Sequence, residues 1–457
     1  MRMNRNKIYL DYAATTPVDP RVLKAMKPYF SENFGNPGSL HNFGQAASRA
    51  VFLARRTIAQ AIGADYREII FTGSATEANN MALRGAIADL RRRYADPRGN
   101  NVSVSQRQVR VGLRPRLIVS AIEHESILET AKDLEHEGVE VIYLPVSRAG
   151  FVDLKKLQAS LNERTVLVSI MYANNEIGTI QPIAKISKII RDFRNARNVQ
   201  NVGDVVTNNK NKRALASDPT TRTITTLYPL LHTDAVQALQ YLDCDVNNLG
   251  VELMTLSAHK IYGPKGIGAL YVRNWQLVNS NWKMGKKSNY QLPITNYISP
   301  IITGGGQEFG LRSGTENVPY IVGFAKAVEI ATKLRKKESL RIKKLRDYFF
   351  KNIKRIYPQS DLNGPELEGA RLPNNLNIYF PRIKANEFLI KLDLAGVAAS
   401  TGSACSSRLH EPSHVLKAIG LNARRGGESV RFTLGRGTTK SEIDKTIKVI
   451  KNLFMRY

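Results

Sequence analysis

Five short segments place polar side chains directly after runs of apolar, β-branched residues. IIFT is followed by Gly73, Ser74, Ala75, Thr76 and Glu77, and LIVS by Ala121, Ile122, Glu123 and His124. VSIM leads into Tyr172, Ala173, Asn174, Asn175 and Glu176. PLLHT precedes Asp234 and Gln237, and LMTL precedes Ser257, His259 and Lys260. A small hydroxyl-bearing turn that opens a helix can cradle a phosphate, because unpaired backbone N–H groups and the helix dipole face the anion. Taken singly, each segment also has a plain structural use. GSAT is a common turn, a histidine after a strand often only satisfies local hydrogen bonds, Asp234 could cap a helix, Gln237 could be a surface residue, and Lys260 could be solvated. Together they bring a phosphate cradle, a carboxylate, amides, two histidines and a lysine to one rim. A cradle, an acid and a lysine suggest pyridoxal phosphate, with the lysine forming a Schiff base and the acid keeping the ring nitrogen protonated.

Ligands of an open parallel sheet bind outside the carboxyl ends of the strands, so the elements that must position these groups are strands. We expect strands near Ile69 to Phe71, Leu117 to Ser120, Val139 to Leu144, Val166 to Met171, Pro229 to His232, Leu253 to Ser257 and Ala269 to Val272. Helix-period segments lie between them, such as Ala47, Val51, Ala54, Ile58 and Ile62 before Gly63, or Ile183, Ile186, Ile190 and Phe193. Near-continuous apolar strands separated by helices indicate an α/β fold with a mostly parallel seven-stranded sheet covered on both faces. After about residue 336 a long basic amphipathic helix leads into strand-like NLNIYF, the helix EFLIKLDLAG, strands VAAS and SVRFTL, and a last helix with Ile443, Ile447, Ile450 and Leu453 on one face. The expected division is a large cofactor-binding domain over 16–335 and a smaller α+β domain over 336–457, joined by the N-terminal segment 1–15. Residues 91–116, 191–228 and 274–303 are polar, lack a clear period and read as surface insertions.

The segments YLDYAATTP, FTGSATEANN, NNEIGTIQP, HTDAVQ, SAHKIYGPKGIGALYV, GGGQEFGLRSGT, STGSACSS, EPSHVL and SVRFTLGRGTT resemble the NifS/IscS-type cysteine desulfurases of the class V aminotransferase family. The resemblance spans nearly the whole chain apart from the three insertions. It implies a pyridoxal 5'-phosphate enzyme that removes sulfur from L-cysteine, giving L-alanine and a cysteine persulfide. Lys260 would be the Schiff-base lysine and the acid and base at the substrate Cα. His124 would stack on the ring and assist proton transfer, and Asp234 would pair with the ring nitrogen. Asn175 and Gln237 would bond the phenolate side, Asn175 lying against the substrate as well. Ala75, Thr76, Ser257 and His259 would hold the phosphate, with Thr315 reaching over from a second subunit of a homodimer. Arg431 would bind the substrate carboxylate in a fork that a lysine could not copy.

Cys405, in the glycine-bearing run Thr401 to Ser407, decides the reaction. A free cysteine is most often a small buried hydrophobe, but these surroundings are small and polar and suit a mobile loop that carries a thiol. A thiol with an ordinary pKa of about 8.5 needs nearby positive charge to become a thiolate, and Arg408 and His410 are the candidates. The other cysteine, Cys244, reads as structural. The implied sulfur acceptors are an iron–sulfur scaffold or thiolation proteins. No intrinsic metal site is expected, Cys405 being the group that could meet a cluster on an acceptor. The longer members of the family carry a C-terminal tail that helps dock the scaffold, whereas this chain stops at Tyr457, which puts that docking route in question.

Another enzyme of the same fold, an aminotransferase or a selenocysteine lyase, would share Lys260 and Asp234 but would not need the GSAC thiol loop. A basic nucleic-acid-binding protein is the alternative from a different class, because 67 Lys and Arg stand against 39 Asp and Glu, a net charge of +28. Half of that excess lies in the three insertions, which narrows the nucleic-acid question to them. With 457 residues and two cysteines the chain is too long for one small module and too poor in cysteine for a disulfide scaffold. No apolar run reaches the roughly 18 to 20 residues of a bilayer span, and no apolar region follows the basic start MRMNRNK. A soluble cytoplasmic protein without a signal or transit peptide is expected.

Overall fold

The computed structural model describes residues 7–94, 114–207, 228–274, 297–402 and 413–455. Its strands are β1 (Ile8–Tyr9), β2 (Ile69–Thr72), β3 (Arg116–Ser120), β4 (Glu140–Leu144), β5 (Thr165–Ser169), β6 (Leu230–Asp234), β7 (Leu253–Ser257), β8 (Gly268–Val272), β9 (Asp361–Leu362), β10 (Asn375–Tyr379), β11 (Val397–Ala398) and β12 (Ser429–Thr433). All seven expected strands of the first two-thirds form one sheet in the order β2-β8-β7-β6-β5-β3-β4. Only β8 runs antiparallel, to both β2 and β7, and the other neighbours are parallel. Because β2 is reversed twice through β8, it points the same way as β7. The carboxyl ends of β2, β3, β5, β6 and β7 therefore share one edge.

The continuous apolar runs are explained by burial on both faces. Along β2, Ile69 and Phe71 enter one hydrophobic core while Ile70 enters another. Along β8, Ala269 and Tyr271 join the first, and Leu270 and Val272 the second. Successive side chains of a strand point to opposite faces, so a strand sandwiched between helices must be apolar at every position. Helices Asn42–Ala61 and Ala75–Tyr94 cover the two faces, the first ending as expected at Gly63, whose φ is +69°. That left-handed conformation is the one glycine adopts without a Cβ penalty.

The C-terminal third builds a third core from Leu10, Ile342, Phe349, Ile378, Phe388, Phe432, Ile443 and Ile450. Its antiparallel strands are ordered β12-β10-β9, and β1 pairs in parallel with β11. The N-terminal segment thus packs with this core, through Ile8 and Leu10.

Two expectations about element limits need correction. The basic helix does not begin near residue 336: a single helix runs from Val318 to Ile356, with Asn317 accepting a hydrogen bond from the Tyr320 N–H at its start. Ile321, Phe324 and Val328 sit in the first core, and Ile342, Phe349 and Ile353 in the third. The change of sequence texture at 336 marks the point where the helix leaves one core for another, since neither proline nor a terminal glycine interrupts it. The insertion limits also shift. Residues 91–94 continue the helix Ala75–Tyr94, Arg116 opens β3, and 191–207 complete the helix Ile183–Thr207. Tyr297 and Ile298 are buried in the second core. Polar composition concealed the helical stretches, because the sequence signal of a helix is its apolar period, whereas its backbone hydrogen bonds need none. Residues 95–113, 208–227 and 275–296 of the insertions lie outside the described residues.

Candidate active site

The cradle is a turn fixed at several points. The Thr72 hydroxyl donates to the Ser74 carbonyl at 2.8 Å, and Ser74 Oγ accepts from the Glu77 N–H at 3.1 Å at the start of a 20-residue helix. Glu77 accepts from the Gly73 N–H at 2.8 Å and pairs with Arg312 at 2.8 Å, so a positive group lies beside the helix opening. Gly268 of β8 passes so close behind that a Cβ there would sit 2.7 Å from the Ser74 carbonyl carbon and 2.9 Å from the Ala75 nitrogen. Thr76 remains exposed beside the half-buried Ala75, and the buried Ser257 ends β7 nearby.

Lys260 lies in a single 3-10 turn, Ala258–Lys260, directly after β7. Its Nζ donates to the carbonyls of Ala13 and Ala14, each at 2.7 Å. Gln237 Nε2 donates to the same Ala13 carbonyl at 3.0 Å, which brings these two predicted residues together. Thr15 Oγ1 and His259 Nδ1 are 3.1 Å apart, and the Thr16 hydroxyl donates to the His259 carbonyl at 2.8 Å. Burial, with Lys260 and Lys265 adding to it, pushes His259 down to about 4, so the ring is neutral. Two residues past the lysine, Tyr262 is held at φ +70°. A left-handed aromatic residue costs backbone energy, and such strain collects at functional sites.

Asp234, 6% exposed at the end of β6, accepts from the Val236 N–H at 3.0 Å and from Asn79 Nδ2 at 2.9 Å. No helix follows Asp234: residues 236–241 form turns, so the helix-capping use weighed from the sequence is not met, and the carboxylate instead closes a local turn on the Val236 N–H. His124 caps the helix Glu125–His136, its Nδ1 accepting from the Ser126 N–H at 3.1 Å. Burial lowers the basicity of this imidazole, Asp234 opposes the shift and Lys260 reinforces it. Asn174 braces the next turn by accepting from the Glu176 and Ile177 N–H groups at 2.9 Å, beside the half-buried Asn175. Arg431, 2% exposed on β12, donates to the Asn175 carbonyl at 3.0 Å and to Asp11 at 2.8 Å. Its buried Nε has no partner among the described residues.

Thr315 is exposed, near Arg312 in sequence. Cys405, with Arg408 and His410, lies outside the described residues. Cys244 is fully buried and its thiol is pushed up to about 12, chiefly by desolvation, which fits a structural role. The sequence reading missed the N-terminal segment as a site element: Asp11, Ala13, Ala14 and Thr15 touch Arg431, Lys260, Gln237 and His259. It named Glu123, a buried carboxyl between β3 and β5, without giving it a role, and it missed Asn79. The signal for Asp11 was present, since an acid inside an apolar opening segment invites a search for a buried cation.

An aldehyde, a ring nitrogen and a phosphate are the three features of pyridoxal phosphate that a protein must meet. Lys260, Asp234 and the Ser74–Thr76 helix opening supply an amine, a buried acid and a bank of N–H donors on one sheet edge, and they fit that group. The class V aminotransferase family model matches residues 8–94, 100–204 and 225–446, and the chain belongs to that family. Within it, the chain is 41% identical to the cysteine desulfurase IscS of Dictyoglomus turgidum, over 98% of this chain and 95% of the relative. It is 40% identical to cysteine desulfurase IscS 1 of Archaeoglobus fulgidus, over 98% and 97%. Among solved structures it matches a NifS-like protein with a TM-score of 0.77 at 32% identity, covering 99% of this chain and 100% of that one. It also matches SspA in complex with cysteine, with a TM-score of 0.67 at 32% identity over 93% and 98%.

Proposed function

We propose that this chain is a pyridoxal phosphate-dependent cysteine desulfurase that converts L-cysteine to L-alanine and holds the sulfur as a persulfide on Cys405. The observation that carries the reading is the convergence of Lys260, Asp234, His124 and the Ser74–Thr76 cradle at the carboxyl ends of four strands of one sheet. When bound, the cofactor supplies an electron sink for charge developing at the substrate Cα. The protein's own groups do the rest. Lys260 holds the cofactor and then moves the Cα proton, the Ala13 and Ala14 carbonyls marking where its Nζ rests. Asp234 keeps the ring nitrogen protonated, and His124 covers the ring and aids proton transfer. Asn175 and Gln237 meet the phenolate side, while Ala75, Thr76, Ser257 and His259 hold the phosphate. Arg431 takes the substrate carboxylate, a buried guanidinium with an unpaired Nε being suited to it.

In the sulfur step the Cys405 thiolate attacks the substrate sulfur. The new S–S bond forms as the Cβ–S bond breaks, the electron pair stays with the carbon skeleton, and protonation releases alanine. The persulfide sulfur then passes to an iron–sulfur scaffold or a thiolation acceptor. The active form is a homodimer in which Thr315 serves the partner's phosphate. Its support is a set of exposed apolar side chains close in sequence, Phe34 (67% exposed), Leu40 (91%) and Phe43 (56%), with the Phe34 and Phe43 rings stacked at 5.5 Å. The expected division into a large and a small domain belongs to this reading, the two joined by Val318–Ile356 and by the N-terminal segment. No helix among the described residues is long and apolar enough to cross a membrane. The reading places the protein in the cytoplasm, where a reactive thiol is kept reduced.

The test is to supply L-cysteine without a keto acid and measure alanine and sulfide. Cys405→Ala should lose alanine and persulfide formation while the cofactor absorbance persists. Full alanine production by Cys405→Ala would remove Cys405 as the nucleophile, and a requirement for a keto acid would identify an aminotransferase instead.

A further inference from the structure

Asn79 sits on the cradle helix Ala75–Tyr94, 1% exposed, and its one amide nitrogen serves two acceptors. One hydrogen goes to Asp234 Oδ2 at 2.9 Å and the other to Ser126 Oγ at 2.8 Å. The amide turns its NH2 group to these two oxygens, leaving its Oδ1 buried with no partner among the described residues. Ser126 Oγ in turn lies 2.9 Å from His124 Nδ1. Nδ1 already accepts from the Ser126 backbone N–H, so it carries no hydrogen and the Ser126 hydroxyl must donate to it, while one lone pair of the same oxygen accepts from Asn79. The neutral ring therefore carries its proton on Nε2.

We propose that Asn79 is a positioning residue that sets both the Asp234 carboxylate and, through Ser126, the neutral Nε2–H form of His124. The inference rests on the function proposed above, for which Asp234 and His124 flank the cofactor ring. It goes further by naming one side chain that couples the two. Asn79 orients the Asp234 carboxyl by donating to it, and favours the unprotonated Nδ1 of His124 by orienting Ser126. The other charged groups acting on His124 are Lys260, which disfavours its protonation, and Asp234 and Glu125, which favour it. His414 also disfavours it from the helix His414–Ala418, where its Nε2 lies 2.9 Å from the Glu123 carbonyl.

The experiment uses full-length protein and two readings that do not depend on turnover. The first is the His124 titration midpoint, followed by NMR in histidine-labelled holoenzyme and assigned with His124→Gln. The second is the dissociation constant of pyridoxal phosphate from the full chain. Ser126→Ala and Asn79→Leu should each raise the His124 midpoint, by about half a unit to one unit for one hydrogen bond. The double variant should shift no further than the larger single shift, since both act through one hydrogen. Ser126→Thr, which keeps the hydroxyl, should restore the wild-type midpoint. Asn79→Leu should also weaken cofactor binding about tenfold or more through the lost donor to Asp234, and Ser126→Ala should not. If Asn79→Leu does not fold, Asn79→Ser, too short to span both acceptors, takes its place. An unchanged His124 midpoint in the Asn79 variant, or additive shifts in the double variant, would overturn the coupling. Failure of the wild-type chain to bind the cofactor would instead overturn the functional reading, and the histidine titration of that protein would still decide the Asn79 link.

Discussion

Glu123→Gln is the substitution whose effect can be worked out most fully from the structure. Glu123 is completely buried where β3 ends, and its Oε1 accepts from the Ser120 hydroxyl at 2.6 Å and the Met171 N–H at 2.8 Å. Its Oε2 is buried with no partner among the described residues. Desolvation is the main cause that raises the carboxyl from 4.5 to about 8, the two hydrogen bonds oppose it, and the charge of Asp234 adds to it. The native state therefore keeps a proton that the unfolded chain has already released above about pH 4.5. Stability must fall as pH rises through this interval and level off above the native value, the reverse of a salt-bridged acid. Between pH 5 and pH 8 the difference is about three pH units at 1.36 kcal/mol each, about 4 kcal/mol. Glutamine offers the same Oε1 acceptor and does not titrate, so the variant should match the wild type near pH 5 and be the more stable protein at pH 8. An unfolding entropy of ~2.1 cal/mol/K per residue gives about 1 kcal/mol per kelvin over this chain, so the melting temperatures should diverge by about 4 °C. Scanning calorimetry of both holoproteins at a fixed heating rate, from pH 5 to pH 9, is the assay. A difference that stays constant across that range, or a wild type that gains on the variant as pH rises, would refute a neutral Glu123.

Two further substitutions separate binding from sulfur transfer. Arg431→Lys keeps the charge but not the planar fork, so KM for cysteine should rise about tenfold to a hundredfold, the equivalent of one charge-assisted hydrogen bond, with kcat less affected; an unchanged KM in steady-state assays would place the substrate carboxylate elsewhere. Gly402→Ala should slow persulfide formation at least several-fold in single-turnover assays while cofactor affinity stays at the wild-type value. Gly402 holds φ +139°, and a Cβ there would lie 2.6 Å from Glu176 Oε2, which itself accepts from the Ser413 hydroxyl at 2.6 Å; wild-type persulfide kinetics would show that this close packing does not matter for Cys405.

The strands and the polar groups at their ends were legible because both obey local rules. A strand buried on two faces is apolar throughout, as Ile69, Ile70 and Phe71 are, and a sheet that binds at its carboxyl edge must place its chemistry in the next few residues. Asp234, His124 and Lys260 follow that pattern directly. What stayed hidden depends on contacts between distant segments. Ala13 and Ala14 act through carbonyl oxygens, and a backbone acceptor leaves no mark in the identity of its residue. Asn79 has no feature to distinguish it from Asn80 beside it. Only the packing of the cradle helix across β5, β7 and β8 makes the first a bridge to Asp234, while Asn80 meets Thr130 and Arg84. Asp11 and Arg431 stand 420 positions apart and form one ion pair. The N-terminal segment is thus anchored at one end to the β12 core by Asp11 and Arg431, while its next residues receive Lys260. A displacement of the small core relative to the large sheet would therefore move Arg431 and the carbonyls that receive Lys260 together. The candidate site is set by the packing of two cores, and the N-terminal segment Asp11–Thr15 that reaches both is as much a part of it as the strand ends.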